Sequence, residues 1–139
     1  QARYSQSIDI RFPTSTCLAE LERAIQERAA SLKSTVETVN AVEPLLVPSD
    51  SAHMQALGKA YEEVTGCPAR LFTMGGGTYA HHFPTGVSFG AMDEARFPNP
   101  AWLGGMHAAN EGVAEDCLRQ ALLVYIAAFG KLFALDWSL

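Results

Sequence analysis

The chain has 139 residues, 48% hydrophobic and 18% charged, with 15 acids against 10 bases. A domain of this size buries roughly 70% of the surface its unfolded form exposes, and so apolar a composition sets aside a disordered tail. The net charge of -5, with lysines and arginines scattered, sets aside nucleic acid as a partner, because no basic cluster can follow a phosphate backbone.

Residues 121–129 form the longest apolar stretch, far short of the roughly 20 residues a bilayer span requires, so no membrane partner is expected. Cys17, Cys67 and Cys117 are odd in number and widely spaced, without a C-x-x-C pair. Neither a disulfide framework nor a thiolate zinc site is indicated, and a reducing, cytoplasmic setting is expected. The chain opens on Gln1 with no signal-like leader, and reads as part of a longer polypeptide.

Residues 4–12 alternate in polarity, with Tyr4, Ile8 and Ile10 at even spacing, which predicts a half-buried strand ended by Pro13. Leu18, Leu21, Ile25, Ala29 and Leu32 then recur at steps of three and four, with Thr14, Ser15 and Thr16 ready as caps; this predicts an amphipathic helix. The β-branched run over 35–42 predicts a second strand. Pro44 and Pro48 bracket a crossing segment, and a boundary is expected near Val47.

Beyond that boundary, Ser49 or Asp50 can cap a helix whose face is Met54, Leu57, Ala60, Tyr61 and Val64, with Gly66 as left-handed C-cap. Short apolar runs at 69–74 and 87–92 surround Gly75, Gly76 and Gly77; the second reads as a buried strand. The last helix is expected over 112–135, capped by Asn110, with a broad apolar stripe that must pack on a sheet.

Several residues can carry chemistry, each with a plainer alternative. The three glycines allow close backbone approach, so their amides can hold a carboxylate; alone, such a run is more commonly a flexible turn, and neither phosphate-loop pattern is matched. His107 precedes a helix in a loop freed by Gly104 and Gly105; it reads either as a ligand or general base, or as a hydrogen-bonded structural histidine. Arg11 lies off the Ile8–Ile10 face, where its guanidinium can clamp a carboxylate or simply meet solvent. His81 and His82, if extended, point to opposite faces, and His53 is expected to face solvent from its helix.

The ordered set Ile8-Asp9-Ile10-Arg11-Phe12-Pro13, Gly75-Gly76-Gly77-Thr78-Tyr79-Ala80, Val87-Ser88-Phe89-Gly90 and His107-Ala108-Ala109-Asn110-Glu111 resembles the C-terminal half of the bacterial dipeptidase V branch of the zinc aminoacylase, carboxypeptidase and carnosinase-like peptidases. The resemblance covers nearly the whole chain, and the set is more specific than any member alone. It implies a two-domain enzyme, with an α/β catalytic domain holding two zinc ions, or other divalent metals, and a lid that closes over a small peptide. The expected fold class is therefore α+β or α/β: a strand-helix-strand half of the lid over residues 1–47, then the C-terminal part of the catalytic domain over 48–139.

By the same resemblance, His107 is a zinc ligand. Arg11 binds the substrate's terminal carboxylate, with Gly76, Gly77 and Thr78 assisting. At the position after Thr-Tyr-Ala the family commonly has arginine, and here His81 stands in its place as a shorter substrate-binding candidate. The family's other zinc ligands and its water-activating glutamate belong to upstream motifs absent from this sequence, so the implied partner is the N-terminal part of the same protein. The expected activity of the intact protein is zinc-dependent hydrolysis of dipeptides with a free carboxylate, and the chain alone is expected to be inactive. Two alternatives stand beside this reading: a non-catalytic α+β module that binds an anionic ligand at the glycine run, and a related aminoacylase or carboxypeptidase.

Overall fold

The computed structural model describes residues 4–83, 85–90, 92–93 and 95–137. Three α-helices organise it: α1 (Leu18–Ser31), α2 (Ala52–Thr65) and α3 (Glu115–Phe133), with a short 3₁₀ helix at Tyr79–His82. By chain contacts it divides into two units, Gln1–Leu46 with Met74–Gly77, and Val47–Thr73 with Thr78–Leu139.

In the first unit, α1 begins at Cys17, whose side chain makes no capping bond. The Leu18 N–H instead donates to Glu43 Oε1 at 3.2 Å, which sets a carboxylate at the positive end of the helix. The hydroxyls expected to cap lie one to three residues before the N-cap, in a turn that Thr16 N–H closes on the Pro13 carbonyl at 3.0 Å. At the other end Lys33 takes a left-handed φ of 54°. Lys33 N–H donates to Ala30 O at 3.0 Å and Ser34 N–H to Ala29 O at 2.9 Å, the paired bonds of a Schellman ending without its usual glycine.

The second unit is built on α2 against α3. Leu57, Ala60 and Ala128 are buried together, with Val87, Phe89, Ala127 and Leu132 packed on them. Ala121 and Val124 form a neighbouring cluster with Tyr61, Val64 and Phe89. Alanines at the contact let the two backbones approach closely, as ridges meet grooves. Gly66 ends α2 at φ 68° with its N–H on Glu62 O at 2.9 Å, a conformation that costs a residue with a Cβ about 1–2 kcal/mol. Lys131 of α3 pairs with Glu63 of α2 at 2.5 Å.

Helix α3 starts later than its periodicity suggests. Asn110 has a left-handed φ of 56° and sits in a loop closed by Gly104 N–H on Asn110 O at 2.9 Å and Gly112 N–H on Gly104 O at 3.3 Å. The amide that organises the helix start is Asn99, which accepts from Ala114 N–H at 2.9 Å and donates to Gly112 O at 3.1 Å. Its apolar stripe packs on α2, not on a sheet, and Leu118, Leu122, Ile126 and Phe133 on other sides are exposed.

Among the described residues strand-type pairing is limited to an isolated parallel bridge, Gly104 with Glu111. The stretches expected as strands, 4–12, 35–42, 69–74 and 87–92 (Ala91 lying outside the described residues), carry no ladder. Alternation prepares a pleated face, but a strand exists only through a neighbour that takes its N–H and C=O groups. Without that neighbour Ile8 stays 70% and Val39 94% exposed. No helix among the described residues is long and apolar enough to cross a membrane.

Candidate functional site

Arg11 and the glycine run meet in the first unit. Arg11 Nη1 donates to Gly75 O at 2.5 Å, while Nε and Nη2 donate to Asp9 Oδ2 at 3.4 and 3.3 Å. A Cβ placed on Gly76 would stand 3.8 Å from Arg11 Nη1, so the glycine leaves the guanidinium uncovered on that side. Asp9 and Arg11 are both largely exposed. The ion pair is therefore weak as a stabiliser, but it holds the planar group in one orientation, with donor hydrogens left for an anion.

Thr78, His81 and His107 lie in the second unit. Thr78 caps the 3₁₀ helix, its hydroxyl accepting from Ala80 N–H at 3.3 Å, and the same oxygen lies 2.7 Å from Ser88 Oγ. His81 and His82 are successive residues of that helix, not of an extended strand. Both are exposed, and the His82 ring lies 6.5 Å from that of Tyr79.

His107 is held by its backbone. It takes φ 63°, and its N–H donates to Glu111 Oε2 at 3.1 Å, which leaves the imidazole exposed at the tip of the loop. Among the described residues no three His, Cys, Asp or Glu side chains come together to hold a metal ion. A zinc site takes about three protein ligands and an open position, so the donors of this chain do not by themselves fit the metal the resemblance implies.

His53 departs from expectation in another way. It is half-buried, stacked with Trp137 at 6.4 Å between ring centroids and 29° between planes, and its buried Nε2 has no hydrogen-bond partner. The indole is pinned there by its own N–H on Leu132 O at 2.9 Å. The residues that sequence reasoning gave no role are Asp9, Ser88 and Asn99. Asp9 and Ser88 stand inside the quoted family motifs, which was the available signal; Asn99, in a proline-flanked loop, gave none.

Comparison with known proteins finds dipeptidases. The chain is 34% identical over 128 residues to a Staphylococcus haemolyticus protein named "Putative dipeptidase", matching 90% of this chain and 25% of that protein. It is 33% identical over 125 residues to the Beta-Ala-Xaa dipeptidase of Lactobacillus delbrueckii subsp. lactis, matching 89% of this chain and 25% of that protein. A second staphylococcal relative, from Staphylococcus saprophyticus, carries the same dipeptidase name at 32% identity, with 90% of this chain and 25% of the relative covered. No family model and no solved structure matches. The chain spans about a quarter of the length of these curated relatives, and over that quarter it belongs to the dipeptidase family they represent.

Proposed function

We propose that this chain is the substrate-carboxylate-binding and closing part of a zinc-dependent dipeptidase, α+β or α/β in class, with residues 1–47 in a lid and 48–139 in the catalytic domain. The observation that carries it is the Arg11 guanidinium resting on Gly75 beside the uncovered Gly76. A planar cation oriented by a carbonyl and a carboxylate, next to a backbone without side chains, suits a small carboxylate taken bidentately. Arg11 takes the free carboxylate of a dipeptide; Gly76, Gly77 and Thr78 assist, and His81 is a further substrate-binding residue.

His107 is one donor to a zinc site whose remaining donors come from the rest of the same protein. Its backbone tie to Glu111 supports this role, since an imidazole on a closed loop is presented at a fixed position. The chemistry of hydrolysis is outside what these residues supply, and the chain by itself is inactive.

Two measurements test the reading. In the product of the complete gene, Arg11→Ala raises KM for dipeptides roughly tenfold to a hundredfold, as loss of a hydrogen bond to a charged group requires, and kcat changes little. Wild type prefers the free acid to the C-terminal amide, and Arg11→Ala removes that preference; an unaltered preference refutes the role of Arg11. The 139-residue chain assayed alone with zinc cleaves no dipeptide, and measurable turnover there overturns the division of labour.

A further inference from the structure

Residues 104–112 form a loop closed at its base. Gly104 N–H donates to Asn110 O at 2.9 Å and Gly112 N–H to Gly104 O at 3.3 Å, beside the bridge between Gly104 and Glu111. Both closing positions need glycine: a Cβ on Gly104 would run into Ala109 O, and one on Gly112 would come within 2.6 Å of Leu103 Cδ1. Asn99 fastens this base to the start of α3 through Gly112 O and Ala114 N–H.

The tip has no such packing, since residues 105–111 are all exposed. It is a four-residue turn, Gly105 to His107 and Ala108, closed by Ala108 N–H on Gly105 O at 3.0 Å. His107 occupies its third position with a φ of 63°. A positive φ there is the mark of a type II turn, which ordinarily takes glycine or asparagine at that place, because the Cβ of an L-residue crowds the following carbonyl.

A turn selected for stability alone would carry glycine at 107. The chain instead places an imidazole on the strained position, and such strain persists where the surroundings over-determine it and collects at working residues. What holds it is the carboxylate of Glu111. The turn leaves the N–H of its third residue unused, and that N–H donates to Glu111 Oε2 at 3.1 Å. Glu111 stands at the fixed base of the loop and reaches back four residues to the tip. The tie uses the main chain, which leaves both ring nitrogens of His107 to other partners.

We propose that Glu111 is a positioning residue whose carboxylate, by accepting the His107 N–H, locks the strained turn and fixes the imidazole before any ligand reaches it. The proposal rests on the dipeptidase reading, in which the His107 ring is a working group, and adds the residue that keeps this ring in place.

The test pairs the isotopically labelled 139-residue chain with the product of the complete gene. In the chain, Glu111→Ala speeds solvent exchange of the His107 amide roughly tenfold, the loss of one hydrogen bond to a charged acceptor, and the scalar couplings that report a positive φ at His107 average out. The helical melt does not move, since the α2–α3 contact is untouched. Glu111→Gln, whose amide oxygen still accepts, keeps exchange and couplings near wild type. In the complete product, Glu111→Ala lowers kcat for dipeptides roughly tenfold to a hundredfold, as misplacing a working group by about 1 Å does, with KM unchanged, and Glu111→Gln restores kcat. An unchanged His107 amide in Glu111→Ala, a rise in KM with kcat intact, or a glutamine variant as slow as the alanine one overturns the proposal. A complete product that cleaves no dipeptide, beside a His107 loosened by Glu111→Ala in the chain, sinks the dipeptidase reading and leaves the positioning standing. Equal cleavage by wild type and Glu111→Ala does the reverse.

Discussion

Helices α1 and α2 are each 14 residues long and each carry an apolar stripe, yet among the described residues only α2 shares its unit with another α-helix. Facing α3, it buries Ala56, Leu57, Ala60 and Thr65; α1 buries Ala29 alone. Their endings differ in the same sense, since α2 closes on Gly66 and α1 on Lys33, both left-handed. Periodicity tells which side of a helix can be covered, and only a partner of matching shape covers it. The first unit therefore leans on turns, caps and side-chain contacts with the main chain, and the second on packed side chains.

The sharpest way to break this contrast is to put a charge in each unit. Val124 of α3, fully buried, packs with Ala121, Tyr61, Val64 and Phe89, and Val124→Asp is expected to destabilise the second unit by about 3–5 kcal/mol, as an uncompensated buried charge does. That is a large share of the ~5–15 kcal/mol typical of a domain, so the helical circular dichroism should lose its cooperative melt. Val39→Asp in the first unit, at a side chain 94% exposed, should change stability by no more than about 0.5 kcal/mol. Equal effects at the two sites would end the comparison.

The next largest effect is expected at Asn99. Asn99→Ala removes both bonds that fix the start of α3 and should cost about 2 kcal/mol in denaturant unfolding, at about 1 kcal/mol per bond, with faster amide exchange at Ala114. Asn110→Ala should leave the α3 amides unaffected, because Asn110 does not cap the helix.

Lys33→Gly sharpens the comparison in the opposite direction. It removes the left-handed strain at the end of α1 and should stabilise the first unit by about 1 kcal/mol, seen as slower amide exchange at Lys33 and Ser34. A destabilisation would mean that unfolded-chain entropy outweighs the strain.

The smallest effect is one of pH. Burial, then the negative charges of Asp93 and Cys67, raise the Tyr61 phenol above its ordinary 10.0. The folded state thus holds that proton more tightly than the unfolded state. Its contribution to stability is complete below pH about 10 and is lost as pH rises through the higher folded value. Tyr61→Phe should flatten this alkaline decline in a pH series of melts, and an unchanged decline assigns it to another group.

The helices were legible because their signals are local: apolar steps of three and four mark α1, α2 and α3, and Gly66 marks an ending by its lack of a Cβ. The start of α3 was not, since the Asn110 loop folds back on Gly104 and the capping amide comes from Asn99, 15 residues before Ala114. The strands expected at 4–12 and 35–42 depend on neighbours that the described residues do not provide. His53 was misread for a related reason: Trp137 is 84 positions away in the chain and only 6.4 Å away in space. For the candidate site, the motifs singled out Arg11 and the glycines separately, and nothing local in either said that a guanidinium would rest on a carbonyl 64 residues distant.

By itself the sequence determined where helices form, which of their sides are apolar, and which family the chain belongs to, because these follow from residue order within a few turns and from motifs in a fixed succession. Tertiary structure alone decided that α3 packs on α2, that Arg11 lies against Gly75, and that Thr78 pairs with Ser88. Those outcomes depend on contacts between distant segments, whose free energy is set by shape and by which polar groups find partners once water is excluded.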